Sequence, residues 1–216
     1  MRFRAIVLFL KALRAYDRAR LRLRMRLQPG LDVHPHASSN FAAARFSLEP
    51  GATLRIGPGA VTERRRGALR FDLQAGATVE VGERVWLRTD AGEVHIAAFE
   101  GARIEIAPDA FLNGASLSAK QRVRLGRRAF IGLGSRVFDS DQHDFDAERP
   151  EQTAPVEIGD HVWVASDTTV LRGVSIGDHS IVGTRSLVTR DVAAHTLAFG
   201  VPATARGSVG DRSRAR

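Results

Sequence analysis

The chain contains no cysteine, which excludes disulfides, thiolate metal sites and a cysteine acyl-enzyme and is compatible with a reducing compartment. Aromatic residues make up only 6% of its 216 residues. They show no interleaving with basic residues of the kind an RNA-binding sheet needs, and no helix-turn-helix pattern is present, so nucleic acid is not an expected partner. Long apolar runs are also missing. The stretch from Ala5 to Leu10 is ended by Lys11, too short to span a bilayer and weak as the apolar part of a signal peptide, so neither a transmembrane segment nor a cleaved leader is expected. Acid is scarce in the same region. Asp17 stands alone against Arg2, Arg4, Lys11, Arg14 and five further arginines up to Arg26. The formal charge of +8, almost all from arginine, suits an anionic partner such as a membrane surface or a phosphorylated cofactor.

What is present is a beat of six. Ile158, Val164, Val170, Ile176, Val182 and Val188 follow one another at six-residue spacing, with Val162, Thr168, Val174, Ser180, Ser186 and Val192 as smaller companions. This period fits neither a helix nor a simple strand; it predicts a hexapeptide solenoid in which each side of a coil sends one aliphatic inward. Three sides make a triangular turn, and turns stack about 4.8 Å apart as parallel sheets. The expected fold is therefore all-β, a parallel β-helix. Spacing alone does not set its hand.

Earlier in the chain a second repeat governs. Gly51 to Gly57, Gly76 to Gly82 and Gly101 to Ala107 are versions of one another at a spacing of 25 residues, so each early coil carries seven residues more than a bare one, or an irregular corner such as Glu63 to Gly67. The one long interruption, residues 139–154, is polar and expected to protrude. The expected organisation is a basic helical segment over 1–30, a β-helix over 31–207 and a disordered tail over 208–216. The basic segment caps the open first coil, a need of every solenoid, or touches a membrane surface.

The interruption holds Asp139-Ser140-Asp141-Gln142-His143-Asp144-Phe145. A His flanked by carboxylates in a loop ejected from a rigid scaffold is a functional candidate, and a solvated acidic loop with an incidental His is the other reading.

Beyond Val137 the order of motifs resembles the hexapeptide-repeat acyltransferases, particularly the polysaccharide and galactoside O-acetyltransferases. The Asp-Ser-Asp-x-His loop is followed by Pro155 to Trp163, by Leu171 to Asp178, by Val188 to Val192 and by Gly200-Val201-Pro202-Ala203. The resemblance implies a left-handed helix, a homotrimer, and acetyl transfer from acetyl-CoA to a sugar hydroxyl in surface polysaccharide or lipid-linked glycan synthesis. It also implies His143 as catalytic base, oriented by Asp139 or Asp141. An imidazole titrating near neutrality can take an alcohol's proton during attack on a thioester. With neither cysteine nor a Gly-x-Ser-x-Gly elbow, direct transfer is favoured over an acyl-enzyme.

The same resemblance places Asn113 and Trp163 at the acceptor, with Trp163 also against the cofactor. Ala165, Ser166, Thr184, Thr189 and Arg190 match a cofactor groove between neighbouring solenoids, and Arg185 and Arg206 add cations for the phosphates of CoA. Each residue has a plainer reading. Asn113 could bond the solenoid backbone at a corner, Trp163 could be subunit-interface area, and the arginines could be solvated. Arg185 stands where the family has glycine, so it either holds a phosphate or narrows the groove. No metal is expected. A γ-carbonic-anhydrase-like site would need three histidines, and His161 and His179, 18 residues apart, suit exposed turn positions and lack an evident third. A non-catalytic scaffold is the remaining rival. The expected location is cytoplasmic, at most peripheral at the inner face of the membrane.

Overall fold

The computed structural model describes residues 2–214. A helix, Arg2–Leu27, precedes three sheets that share one core. The first sheet has seven strands from Leu31–Val33 to Ser175–Ile176. The second has eight, from Val61–Thr62 to Ala203–Ser208, and the third has seven, from Arg45–Leu48 to Leu187–Val188. From the second coil to Leu187–Val188 the chain visits the sheets in that order, a short 3-10 helix, Ser39–Ala43, standing in for the second-sheet strand of the first coil, and strands of these successive coils pair in parallel. This is a parallel β-helix.

In the last coils Glu157 pairs with Ser175, Trp163 with Ile181 and Thr169 with Leu187, so each coil takes 18 residues on every side. The aliphatics of the six-residue beat are buried, as are the companions Thr168, Ser180 and Ser186. The companions stay satisfied because their hydroxyls donate to backbone carbonyls: Thr168 Oγ1 to Gly183 O at 3.0 Å, Ser180 Oγ to Ala193 O at 2.8 Å and Ser186 Oγ to Gly183 O at 2.7 Å.

The 25-residue spacing aligns Leu54, Val79 and Ile104 on one rung position. The additional residues fall between the second and third sheets, in the corner after Thr62 and in longer third-sheet strands such as Leu69–Leu73 and Val94–Ala98. The longer strands bury extra side chains, including Phe71 and Ile96.

At one corner the left-handed backbone conformation repeats in every coil after the first, at Gly59, Arg84, Asp109, Arg128, His161, His179 and His195. A non-glycine residue there costs roughly 1 to 2 kcal/mol, offset by the hydrogen bond its N–H gives to the coil below, as from His161 to Arg127 O at 2.8 Å and His179 to Asp160 O at 2.9 Å.

The C-terminal half of the helix lies on the first coil. Leu21 is buried there, and Asp17, 1% exposed, accepts both a 2.7 Å and a 3.2 Å bond from Arg64. Ile6, Leu8, Phe9 and Leu10 are exposed beyond the coil. Among the described residues, no helix is long and apolar enough to cross a membrane. At the other end the chain turns at Val201-Pro202 and runs back antiparallel, Ala203–Ser208 against Thr196–Gly200. The segment after Ser208, expected to be disordered, instead lies along the histidine corner. The Arg212 N–H donates to His179 Nδ1 at 3.0 Å, its Nε donates to His161 O at 3.0 Å, and Arg128 reaches Ser213 O at 2.5 Å. The last two residues of the expected tail, Ala215 and Arg216, lie outside the described residues.

Candidate functional site

The loop 139–154 leaves the third-sheet strand Arg136–Phe138 and returns to the first-sheet strand Val156–Ile158. Three contacts pin it. Lys120 Nζ bonds Glu151 at 2.7 Å and Gln142 O at 3.3 Å, and Arg172 Nε bonds Asp141 at 2.6 Å. These cations hold the carboxyls of Glu151 and Asp141 below the usual carboxylate range. Between the loop and the coil edge is a cleft of about 460 Å³ whose lining includes Phe138, Asp141, Gln142, Phe145, Arg172 and Thr189. His143 is exposed, between two of these lining residues in sequence.

The expected orienting carboxylates are elsewhere, and this corrects the sequence reading. Asp139 is fully buried, and its oxygens accept the backbone N–H groups of Lys120, Gln121 and Arg122, each at 2.7 Å. It fixes the turn between Ser116–Ala119 and Arg122–Leu125. Asp141 is spent on Arg172 and the Gln152 N–H. Neither is bonded to His143.

The expected cofactor and acceptor residues divide between two corners. Thr189 lines the loop cleft, with Arg190 next to it and exposed. Asn113 instead ends a second-sheet strand, and Ala165, Ser166, Thr184 and Arg185 follow such strands, at the corner leading to the third sheet. Ala165 is buried, and the Asn113 Oδ1 is buried without a partner. Arg185 adopts φ 57° and its side chain is 82% exposed, 3.9 Å from Asp167. Arg206 lies over the Phe199 ring in the closing hairpin.

Trp163 faces outward as expected, but in company the sequence reading misses. Trp86, Phe111, Phe130 and Trp163 form an aromatic ladder on the outer face of the second sheet, with centroid spacings of 4.9, 4.7 and 6.2 Å. Arg212 lies over the last ring at 5.7 Å.

A third histidine joins the two expected at turns. His161, His179 and His195 stack nearly parallel, 4.9 and 4.8 Å apart. A tetrahedral metal site needs imidazoles converging on one ion; here the rings lie face to face, and the Nδ1 atoms of His179 and His195 engage the Arg212 N–H and Val209 O. Burial first, then His179 and Arg128, hold His161 below its ordinary pKa against the weaker pull of Asp160 and Asp211. A depressed imidazole contributes stability that is full above its unfolded value, about 6.5, and is lost as pH falls through the folded value. We therefore expect the His161 corner, and the tail held against it, to loosen as pH falls below about 6.5, read as a change in Trp163 emission in a Trp86→Phe background. Emission independent of pH would remove the histidine stack from the tail's anchorage.

Residues 155–190 match the family model for the bacterial transferase hexapeptide (six repeats). Galactoside O-acetyltransferase of Escherichia coli (strain K12) is 38% identical over 60 residues, 28% of this chain and 30% of that protein. The chain thus matches less than a third of that relative's length. Among solved structures, the polySia specific acetyltransferase NeuO superposes with a TM-score of 0.55 at 20% identity, over 88% of this chain and 92% of that one. The polysialic acid O-acetyltransferase OatWY gives 0.51 at 14% identity, over 85% and 90%. At these identities the likeness is one of fold. The chain is a left-handed parallel β-helix of the hexapeptide-repeat type, similar in its last coils to a galactoside O-acetyltransferase.

Proposed function

We propose that this protein transfers an acetyl group from acetyl-CoA to a sugar hydroxyl, with His143 as general base. The observation that carries the reading is the loop 139–154, pinned to the coils by Lys120 and Arg172, with an exposed imidazole beside a cleft. The acceptor O–H gives its proton to the His143 ring as its oxygen attacks the thioester carbonyl. The C–S bond then breaks, and the CoA sulfur leaves with the proton returned from the imidazolium. Asp139 and Asp141 hold the loop in place and do not touch the base. The names of the galactoside and polysialic acid acetyltransferases support a sugar or glycan as the acceptor class.

The division of candidates between two corners supports a homotrimer in which the loop of one copy faces the Ser166 and Thr184 corner of the next. Acetyl-CoA would then lie between chains, against Trp163 and Ala165 of one and Thr189 and Arg190 of the other. Sedimentation giving a fully active monomer would sink this arrangement. The reaction itself is tested by free thiol release from acetyl-CoA with galactosides, sialosides and polysialic acid as acceptors. Acceptor-dependent thiol release with an O-acetylated product in the mass spectrum is expected; acetyl-CoA turnover without such a product would overturn the reading.

A further inference from the structure

A cavity at the other end of the molecule is untouched by this chemistry. Between the N-terminal helix and the first two coils lies a cleft of about 840 Å³, and Arg20, Arg24, Arg45, Arg64 and Arg66 all line it. Tyr16, Leu27 and Phe46 line it as well. Tyr16, Arg20, Arg24 and Leu27 recur at helical spacing, so one face of the helix forms one wall. The third-sheet strand Arg45–Leu48 is four rungs from Arg136–Phe138, roughly 19 Å at the spacing of parallel strands. The cleft is therefore separate from the His143 loop.

Among the described residues its charge is not balanced. Asp17 is the one carboxylate in contact among the described residues, bonded to Arg64 and 4.0 Å from Arg20. Arg24 spends one N–H on Ala44 O at 2.7 Å and lies over the Phe46 ring. Among the described residues no carboxylate lies within 4.0 Å of Arg24, Arg45 or Arg66. Burial, with the nearby Arg20, holds the Arg24 guanidinium below its ordinary pKa, as expected for a cation kept near others without an anion.

Capping the first coil does not need this arrangement. The apolar contact of a cap is supplied by Leu21 and Met25 on the core side of the helix. Five guanidiniums around open space repel one another, and planar forks of this kind match phosphoryl oxygens two at a time. Gln28 lines the same space with its Oε1 buried and without a partner, an acceptor for a ligand hydroxyl. The rings and aliphatics beside the arginines give an apolar surface next to the cationic one. We propose that this cleft binds the phosphate or diphosphate of an amphiphilic ligand, with the ligand's apolar part against Tyr16, Leu27 and Phe46.

The test is calorimetry on the full-length protein with CoA present in excess, so that any phosphate site used by CoA is filled. The titrants are inorganic pyrophosphate, farnesyl diphosphate and phosphatidylglycerol vesicles. Farnesyl diphosphate should bind at least tenfold tighter than pyrophosphate. The double variant Arg45→Gln/Arg66→Gln, which removes two exposed side chains without a hydrogen-bonded partner in the fold, should weaken it at least tenfold. Arg14→Gln/Arg22→Gln, an equal charge loss on exposed positions outside the cleft, should leave binding within twofold. Vesicle binding with the same dependence on Arg45 and Arg66 would assign the phosphate to a lipid headgroup; farnesyl diphosphate binding without vesicle binding would assign it to a prenyl diphosphate or a ligand of that kind. No binding of either diphosphate, or equal loss in both double variants, overturns the proposal. These outcomes are independent of whether the acetyl transfer assay succeeds.

Discussion

His143→Ala is expected to lower kcat by about 10² to 10⁴-fold, or roughly 3 to 5 kcal/mol of barrier, with the affinity for CoA nearly unchanged. The fold should be spared. His143 sits on an exposed loop outside the hexapeptide core, and the loop is held by Lys120, Asp139, Asp141 and Arg172 rather than by the imidazole. A loss confined to kcat fits proton transfer in the transition state, whereas a rise in KM for the acceptor with modest loss of kcat would mark a positioning role. Wild-type turnover by the variant on a verified acceptor would remove His143 from the mechanism.

The opposite pattern is expected at Asp139, where the loop begins. Its carboxylate accepts three backbone N–H groups at 2.7 Å in a fully buried place. Asp139→Ala leaves three backbone N–H groups without their acceptor, so it should destabilise the protein by roughly 1 to 3 kcal/mol. Asp139→Asn should also destabilise, because one oxygen becomes an NH₂ group that faces a donor. Denaturant titration is the check. Activity would fall in both variants through displacement of the loop, so a variant with unchanged stability and reduced kcat would restore Asp139 to the role of an orienting carboxylate.

These two residues show what the sequence reveals and what it hides. The inward beat from Ile158 to Val188 is a local pattern, and every member is buried. The 25-residue repeat also survives in the register of Leu54, Val79 and Ile104. The role of Asp139 is hidden because its partners are amides 17 to 19 positions back on the preceding coil; proximity in sequence favours His143, while proximity between rungs decides the bond. His195 is obscured for a related reason. It follows His179 by 16 residues, since the last coil is shorter than the 18-residue standard, and so falls off the beat. Unequal insertions between Trp86, Phe111, Phe130 and Trp163 conceal the aromatic ladder. Subtracting each coil's insertion aligns them. The arginine cleft joins a helix to two coils, and no local pattern announces such a juxtaposition.

The two ends of the stack have a consequence for assembly. A rung of parallel strands presents unpaired N–H and C=O groups to whatever comes next, so a bare end is a template for another chain. Here a helix lies over the first rung, and the second sheet finishes in an antiparallel strand whose register shifts between Leu197 and Ala198. Neither end offers a further copy the matched parallel edge on all three sides that continuing the coil requires. Among the described residues, strand-by-strand continuation of the coil by another copy thus meets a helix at one end and a reversed strand at the other.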